Sequence, residues 1–233
     1  MVKYIKVIKG ENTMNYNKSE IIKSIEENKL IAILRGVPQE KLLPLVEALY
    51  KGGIRLLELT YSADGSTPDE VTAQNIKMLS ENFNGRMFIG AGTVLTTKQV
   101  KLTEKNGGCF IISPDANENV IKETVNLGMV SIPGALTPTE ITQAHNFGAD
   151  FVKLFPISNL GAAYVKAVTA PLSHIKLLAV GGVTTDNMHE YSSSGACGFG
   201  IGANLYKKEL LENNDFEAIT EIARKFVSVA KNA

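Results

Sequence analysis

Eight short apolar runs that alternate with amphipathic stretches, helix-start signals ahead of several of those stretches, and glycines ahead of the runs predict an α/β chain. The arrangement they favour is a single (β/α)8 TIM barrel with an N-terminal helix. The runs begin at Leu30 (LIAIL), Ile54 (IRLLEL), Met87 (MFIGAG), Cys109 (CFIIS), Met129 (MVSIP), Asp150 (DFVKLF), Lys176 (KLLAVGG) and Ala196 (ACGFGIG). Their spacing of about 20 to 30 residues is the length of one βα unit. Strands this uniformly apolar are buried on both faces, as in parallel sheets, and eight units in a chain of ordinary length favour closure over an open sheet. A doubly wound open sheet is the alternative.

The elements follow in order. Ser19 opens a helix (SEIIKSIEEN) that would cover the barrel's bottom, so residues 19–233 form the barrel domain. Residues 1–18 read as a loose extension in which Met14 offers another start. Thr67-Pro68-Asp69-Glu70 and Thr137-Pro138-Thr139-Glu140 each place a cap, a proline at the first helical position and a capping-box glutamate before an apolar-periodic segment. Gly52-Gly53, Gly107-Gly108, Gly128, Gly148 and Gly195 fall between a helical segment and the next run, where a left-handed C-terminal cap is expected. Pro44, inside KLLPLVEALY, should delay or kink its helix.

With 233 residues and 44% hydrophobic content, the chain can bury one large core. Lys+Arg and Asp+Glu are both 24, and no basic tract points to a nucleic acid or an anionic membrane surface, which leaves a small molecule as the expected partner. No apolar run reaches the roughly 18 to 20 residues that span a bilayer, and no signal peptide is apparent, so a cytoplasmic location is expected. Cys109 and Cys197 read as small buried thiols.

In a (β/α)8 barrel the active site lies at the C-terminal ends of the strands. Those ends carry Arg35, Glu58, Thr60, Thr93, Ser113, Pro133, Lys153, Phe155 and Gly181-Gly182. Lys153 stands in Phe151-Val152-Lys153-Leu154-Phe155-Pro156, where alternation puts its amine on the side of Phe151 and Phe155. Burial lowers a lysine pKa from about 10.4, and a value of roughly 7 or 8 raises the nucleophilic fraction about a thousandfold. Such an amine condenses with a ketone. A snorkelling or ion-paired lysine explains the same residue.

Glu58, in Leu56-Leu57-Glu58-Leu59-Thr60, could shuttle protons for that amine or simply pair with it; both readings put the two side by side. The Gly90-Ala91-Gly92-Thr93 turn lets backbone N–H groups and a hydroxyl approach a carboxylate, or is a tight turn with a helix cap. Gly181-Gly182 and Gly200-Ile201-Gly202-Ala203 end the seventh and eighth runs, where many such barrels bind phosphate. His145, His174 and His189 lie away from the strand ends in no ligand-like spacing, so no metal and no cofactor is expected.

From about Glu20 to the C-terminus the chain resembles the 2-keto-3-deoxy-6-phosphogluconate and 4-hydroxy-2-oxoglutarate aldolases. The motifs are LLELT around Glu58, IGAGTVLT around Thr93, SIPGALTPTE, and VKLFP around Lys153. The resemblance implies a class I, metal-independent barrel in which Lys153 forms the imine and Glu58 shuttles protons. Gly92 and Thr93 would hold the pyruvate carboxylate, and Pro133 and Phe155 would pack around the pyruvyl unit. Gly181, Gly182 and Gly202 would face the far end of the substrate, and the assembly would be a homotrimer.

Two departures bear on the substrate. Tyr61-Ser62-Ala63-Asp64 lacks the arginine that many phosphogluconate-type members carry there, and Arg35 in IAILRG is placed to supply the charge instead. Val180 and Ala203 stand where hydroxyl-bearing residues often flank the late glycines. IAILRG and AVGGV look more like the phosphogalactonate branch. Two other readings stay open: a phosphosugar epimerase or decarboxylase barrel in which Lys153 is an electrostatic clamp, and a silent barrel that binds sugar acids.

Overall fold

The computed structural model describes residues 17–233, so most of the expected N-terminal extension, with Met14, lies outside the described residues. After α1 (Lys18–Asn28) come β1 (Leu30–Leu34), α2 (Gln39–Lys51), β2 (Leu56–Thr60), α3 (Asp69–Asn82), β3 (Phe88–Gly92), α4 (Thr97–Lys105), β4 (Phe110–Ile112) and α5 (Glu118–Asn126). There follow β5 (Val130–Ile132), β6 (Gly134–Ala135), α6 (Pro138–Asn146), β7 (Val152–Leu154), α7 (Gly161–Thr169), β8 (Leu177–Val180), α8 (Met188–Ser193) and β9 (Ala196–Ile201). A 3-10 turn (Ala203–Leu205), α9 (Lys208–Glu212) and α10 (Phe216–Asn232) complete the chain.

Each of the eight apolar runs forms a strand, and all pairings are parallel, in the order β5-β4-β3-β2-β1-β9-β8-β7-β6. The ninth segment arises because the fifth barrel strand is parted at Pro133, which has no N–H to give a ladder. Its halves β5 and β6 are still stitched to the sixth barrel strand. Asp150 and Phe151 donate to the Ser131 carbonyl at 3.0 and 3.3 Å, and Lys153 donates to the Pro133 carbonyl at 2.8 Å. Those bonds close the ring.

Alternation along the strands builds two layers of core. Ile31, Leu56, Phe110, Ile112, Val130, Ile132, Phe151, Leu178 and Val180 point inward and pack with Ile21 and Ile25 of α1, which plugs the bottom as expected. The intervening residues, among them Leu30, Ala32, Leu34, Leu57, Leu59, Ile89, Val152 and Leu154, pack outward against the helices. Asn17 caps α1 by accepting from the Ser19 N–H at 3.0 Å, so the helix begins at Lys18, one residue before the start the sequence suggests. Lys18 pairs with Asp150 at 2.9 Å, pinning α1 to the closing seam.

Three local expectations change. Helix α2 is not delayed: it begins at Gln39 and continues through Pro44, which is exposed on the solvent side while Leu42, Leu45, Val46 and Leu49 are buried, so packing holds the helix across the missing bond. At α3 the cap is absent: Pro68 is extended (φ −56°, ψ 142°), so the helix starts at Asp69. There Glu70 meets Lys98 at 3.2 Å and Asp69 accepts from Gln99 at 3.0 Å, joining α3 to α4 instead of closing a capping box. The box forms as expected at Thr137 and Glu140, and a second one joins Thr96 to Gln99. Cys109 is buried and Cys197 only partly so. Gly53, Gly107, Gly128, Gly148 and Gly195, all between helix and strand, have positive φ. Among the described residues no helix is long and apolar enough to cross a membrane.

Candidate active site

Lys153 sits in the middle of β7, with Val152 and Leu154 turned to the helices and its own side chain turned into the barrel above Phe151. It is 7% exposed, and its Nζ lies 4.6 Å from the centre of the Phe155 ring. Burial holds its amine below the usual lysine pKa of 10.5, Glu58 pulls the other way, and the Arg35 guanidinium adds to the lowering.

Glu58 occupies the matching place on β2, between Leu57 and Leu59 of the outer layer, and is 1% exposed. Burial pushes its carboxyl above the ordinary 4.5, with Lys153 and then Arg35 opposing. Its Oε2 has no hydrogen-bond partner among the described residues. A buried carboxylate oxygen left bare costs stability, and burial presses both groups toward their neutral forms, a free amine and a carboxylic acid, while each group opposes that change in the other. The glycine at the end of β3 makes room for this carboxyl: a Cβ at Gly92 would lie 1.5 Å from Glu58 Oε1 and 2.1 Å from Cδ.

Thr93, the next residue, has φ +56°, a left-handed conformation that a β-branched side chain adopts at a cost of about 1 to 3 kcal/mol. In that conformation its hydroxyl accepts a 3.0 Å bond from Arg35 Nη2. The Arg35 backbone N–H in turn donates to the Tyr206 hydroxyl at 3.3 Å.

One cavity of about 390 Å³ collects Arg35, Glu58, Thr93, Lys153, Phe155, Gly181, Gly182 and Gly202. Gly92 and Pro133, also expected at the site, do not line it. Gly92 stands behind Glu58, and Pro133 contributes the carbonyl that fixes the Lys153 backbone. Ile33, Pro114 and Asn204 line the cavity without having been anticipated. Pro114 directly follows the strand-end residue Ser113, which was the available signal. Among the described residues no group of three or more His, Cys, Asp or Glu side chains is arranged to hold a metal ion.

The family profile described as "KDPG and KHG aldolase" matches residues 21–222. The chain belongs to that family. It is an aldolase, and so a carbon–carbon lyase. It is 34% identical over 205 residues to the 2-dehydro-3-deoxy-6-phosphogalactonate aldolase of Escherichia coli (strain K12), covering 88% of this chain and 95% of that enzyme. To the 2-dehydro-3-deoxy-phosphogluconate aldolase of Haemophilus influenzae (strain ATCC 51907 / DSM 11121 / KW20 / Rd) it is 28% identical over 222 residues, covering 94% of this chain and 100% of that one. The crystal structure of KDPG aldolase from Legionella pneumophila, with pyruvate captured at low pH as a covalent carbinolamine intermediate, superposes with a TM-score of 0.75. It is 27% identical and covers 87% of this chain and 96% of that one.

Within this aldolase the far end of the cavity is built from backbone. Gly181 and Gly182 both have positive φ (97° and 74°), and a Cβ on Gly182 would come within 2.7 Å of the Ser158 Cβ, so the β8 turn is pressed against the loop that follows β7. On the β9 side Asn204 donates to the Val183 carbonyl at 3.1 Å, tying the two late turns together.

Proposed function

We propose that this aldolase reversibly cleaves a 4-hydroxy-2-keto acid, either a 2-keto-3-deoxy-6-phosphosugar acid or 4-hydroxy-2-oxoglutarate, into pyruvate and an aldehyde through an imine on Lys153. The observation that carries the reading is the pair of buried, oppositely shifted groups, Lys153 and Glu58, opening into one cavity. The neutral Lys153 amine adds to the C2 ketone, and Glu58 protonates the departing carbinolamine hydroxyl, which leaves as water. The C3–C4 bond then breaks as its electrons move into the protonated imine, while Glu58 takes the C4 hydroxyl proton and the aldehyde departs. Glu58 returns that proton to C3 of the enamine, and water hydrolyses the imine to release pyruvate.

Thr93 and Arg35 hold the C1 carboxylate by a hydroxyl and a cation, Phe155 packs over the imine, and Pro133 backs it. Backbone N–H groups of Gly181, Gly182 and Gly202 receive the anionic far end of the substrate. Borohydride reduction with pyruvate, followed by peptide mapping, tests the reading: a reduced pyruvyl adduct on Lys153 is expected. An adduct on another lysine, or none, overturns it. If the late turns bind phosphate, kcat/KM for the phosphorylated sugar acid exceeds that of its unphosphorylated form by at least roughly tenfold, since charge-assisted bonds contribute about 1.5 to 3 kcal/mol each. We further propose a homotrimer, on the strength of the family resemblance, and a cytoplasmic location. Light scattering at about three times the 25.2 kDa chain mass checks the assembly.

A further inference from the structure

Beside the catalytic cavity lies a second one of about 310 Å³, between the loop after β1 and the segment around α9. Arg35 and Ala203 belong to both walls. Lys41, Tyr206, Lys208 and Glu212 add the polar groups. Three basic residues and one acidic residue therefore line it. Lys41 gives its hydrogen bonds to the carbonyls of Leu211 (3.3 Å) and Glu212 (3.4 Å) and to the Asn214 side-chain oxygen, all neutral acceptors. The Arg35 guanidinium bonds the neutral Thr93 hydroxyl. Neither cation forms an ion pair among the described residues, and Glu212 is already opposite Lys208 at 3.7 Å. The wall thus carries positive charge that its own groups leave uncompensated.

The two cavities are mechanically linked. Arg35 donates its backbone N–H to Tyr206 on the side-cavity wall and its guanidinium to Thr93 on the catalytic wall. An anion in the side cavity competes with Thr93 for that guanidinium.

We propose that the side cavity is a second anion site, taking a small phosphate- or carboxylate-bearing anion, and that its occupancy weakens keto-acid binding by drawing Arg35 away from Thr93. The binding half stands on the cavity alone. The coupling half rests on the proposed roles of Thr93 and Arg35.

The test titrates the ¹⁵N-labelled full chain with inorganic phosphate, with malonate, and with chloride at matched ionic strength. Amide signals of Arg35, Tyr206 and Lys208 shift with phosphate and not with chloride. The malonate arm decides whether carboxylates are accepted as well. Lys208→Glu, at a side chain 88% exposed and so safe for folding, weakens the phosphate response at least roughly tenfold. Equal shifts with chloride, shifts confined to Gly181, Gly182 and Gly202, or an undiminished response in Lys208→Glu overturn the site. For the coupling, the pyruvate concentration that half-saturates borohydride trapping rises several-fold with phosphate in the native chain and stays flat in Lys208→Glu. Trapping indifferent to phosphate overturns the coupling. No trapping at Lys153 under any condition strikes the proposed function instead, and the amide titration still decides the site.

Discussion

Gly92 and Glu58 are complementary surfaces: the hydrogen that glycine carries in place of a side chain is the floor on which the buried carboxyl rests, and a Cβ there would stand 1.5 Å from Oε1. Gly92→Ala should therefore fold, as judged by circular dichroism, yet turn the carboxyl out of its place. Its kcat is expected to fall roughly 10²- to 10⁴-fold, as far as loss of a general acid–base takes it, with trapping at Lys153 retained. Full turnover in this variant would mean that the position of Glu58 is immaterial.

Glu58→Gln separates the proposed proton shuttle from the proposed nucleophile. Glu58 raises the Lys153 pKa, so its neutralisation lets the amine titrate lower still. The pH at which the trapping rate is half its maximum moves down, while turnover drops roughly 10²- to 10⁴-fold. A midpoint that stays in place would show that the two groups do not communicate.

Linkage gives the signs for stability. Between the lowered Lys153 pKa and 10.5, the unfolded chain holds that proton and the folded chain does not, so this residue makes stability rise with pH across the window. Lys153→Met removes that rise. It also removes the cation that lowers Glu58, whose folded form already holds a proton that the unfolded chain releases above 4.5. In Lys153→Met the loss of stability as pH increases from 4.5 therefore extends to higher pH, which urea denaturation at a series of pH values measures.

Thr93 spends stability on position. Thr93→Gly relaxes φ +56° and is expected to raise stability by up to about 1 kcal/mol, while KM for the keto acid rises because the hydroxyl that meets Arg35 is gone. A variant both less stable and unchanged in KM would contradict the assignment.

Pro44→Ala restores an N–H to the exposed middle of α2, toward the Glu40 carbonyl. Thermal unfolding should show a gain of about 1 to 3 kcal/mol with kcat/KM unaltered, because this turn lies on the solvent face of the barrel. It tests whether packing of Leu42, Leu45 and Leu49 alone carries the helix across the gap.

The barrel and the buried, inward placement of Lys153 and Glu58 are legible in the sequence because charge inside an apolar strand is expensive and so conspicuous. Lys153 and Glu58 each interrupt such a strand, and alternation fixes which way they face. Thr93 was visible as the polar end of a strand, but its left-handed backbone was not, since nothing in GAGT announces that threonine instead of glycine takes the positive φ. Ile33, Pro114 and Asn204 reach the cavity only through ring closure, which brings together segments far apart in sequence. The lost cap at Thr67 shows the limit of local signals: the same Thr-Pro-x-Glu pattern closes a box at Thr137, whereas at Thr67 the acidic side chains find Lys98 and Gln99 on the next helix.

The closing seam gives the proline break in the fifth strand a further meaning. The amide of Lys153 is one of the stitches that join the last open edge, through the Pro133 carbonyl. In a chain whose ring has not yet closed, or has sprung open, that lysine meets water, holds its proton at neutral pH and is chemically quiet. On the proposed role of Lys153, reactivity follows completion of the ring: nascent and damaged copies carry this lysine without the burial that lowers its pKa. Deuterium uptake at this single amide would report, molecule by molecule, on how much of a preparation is enzyme.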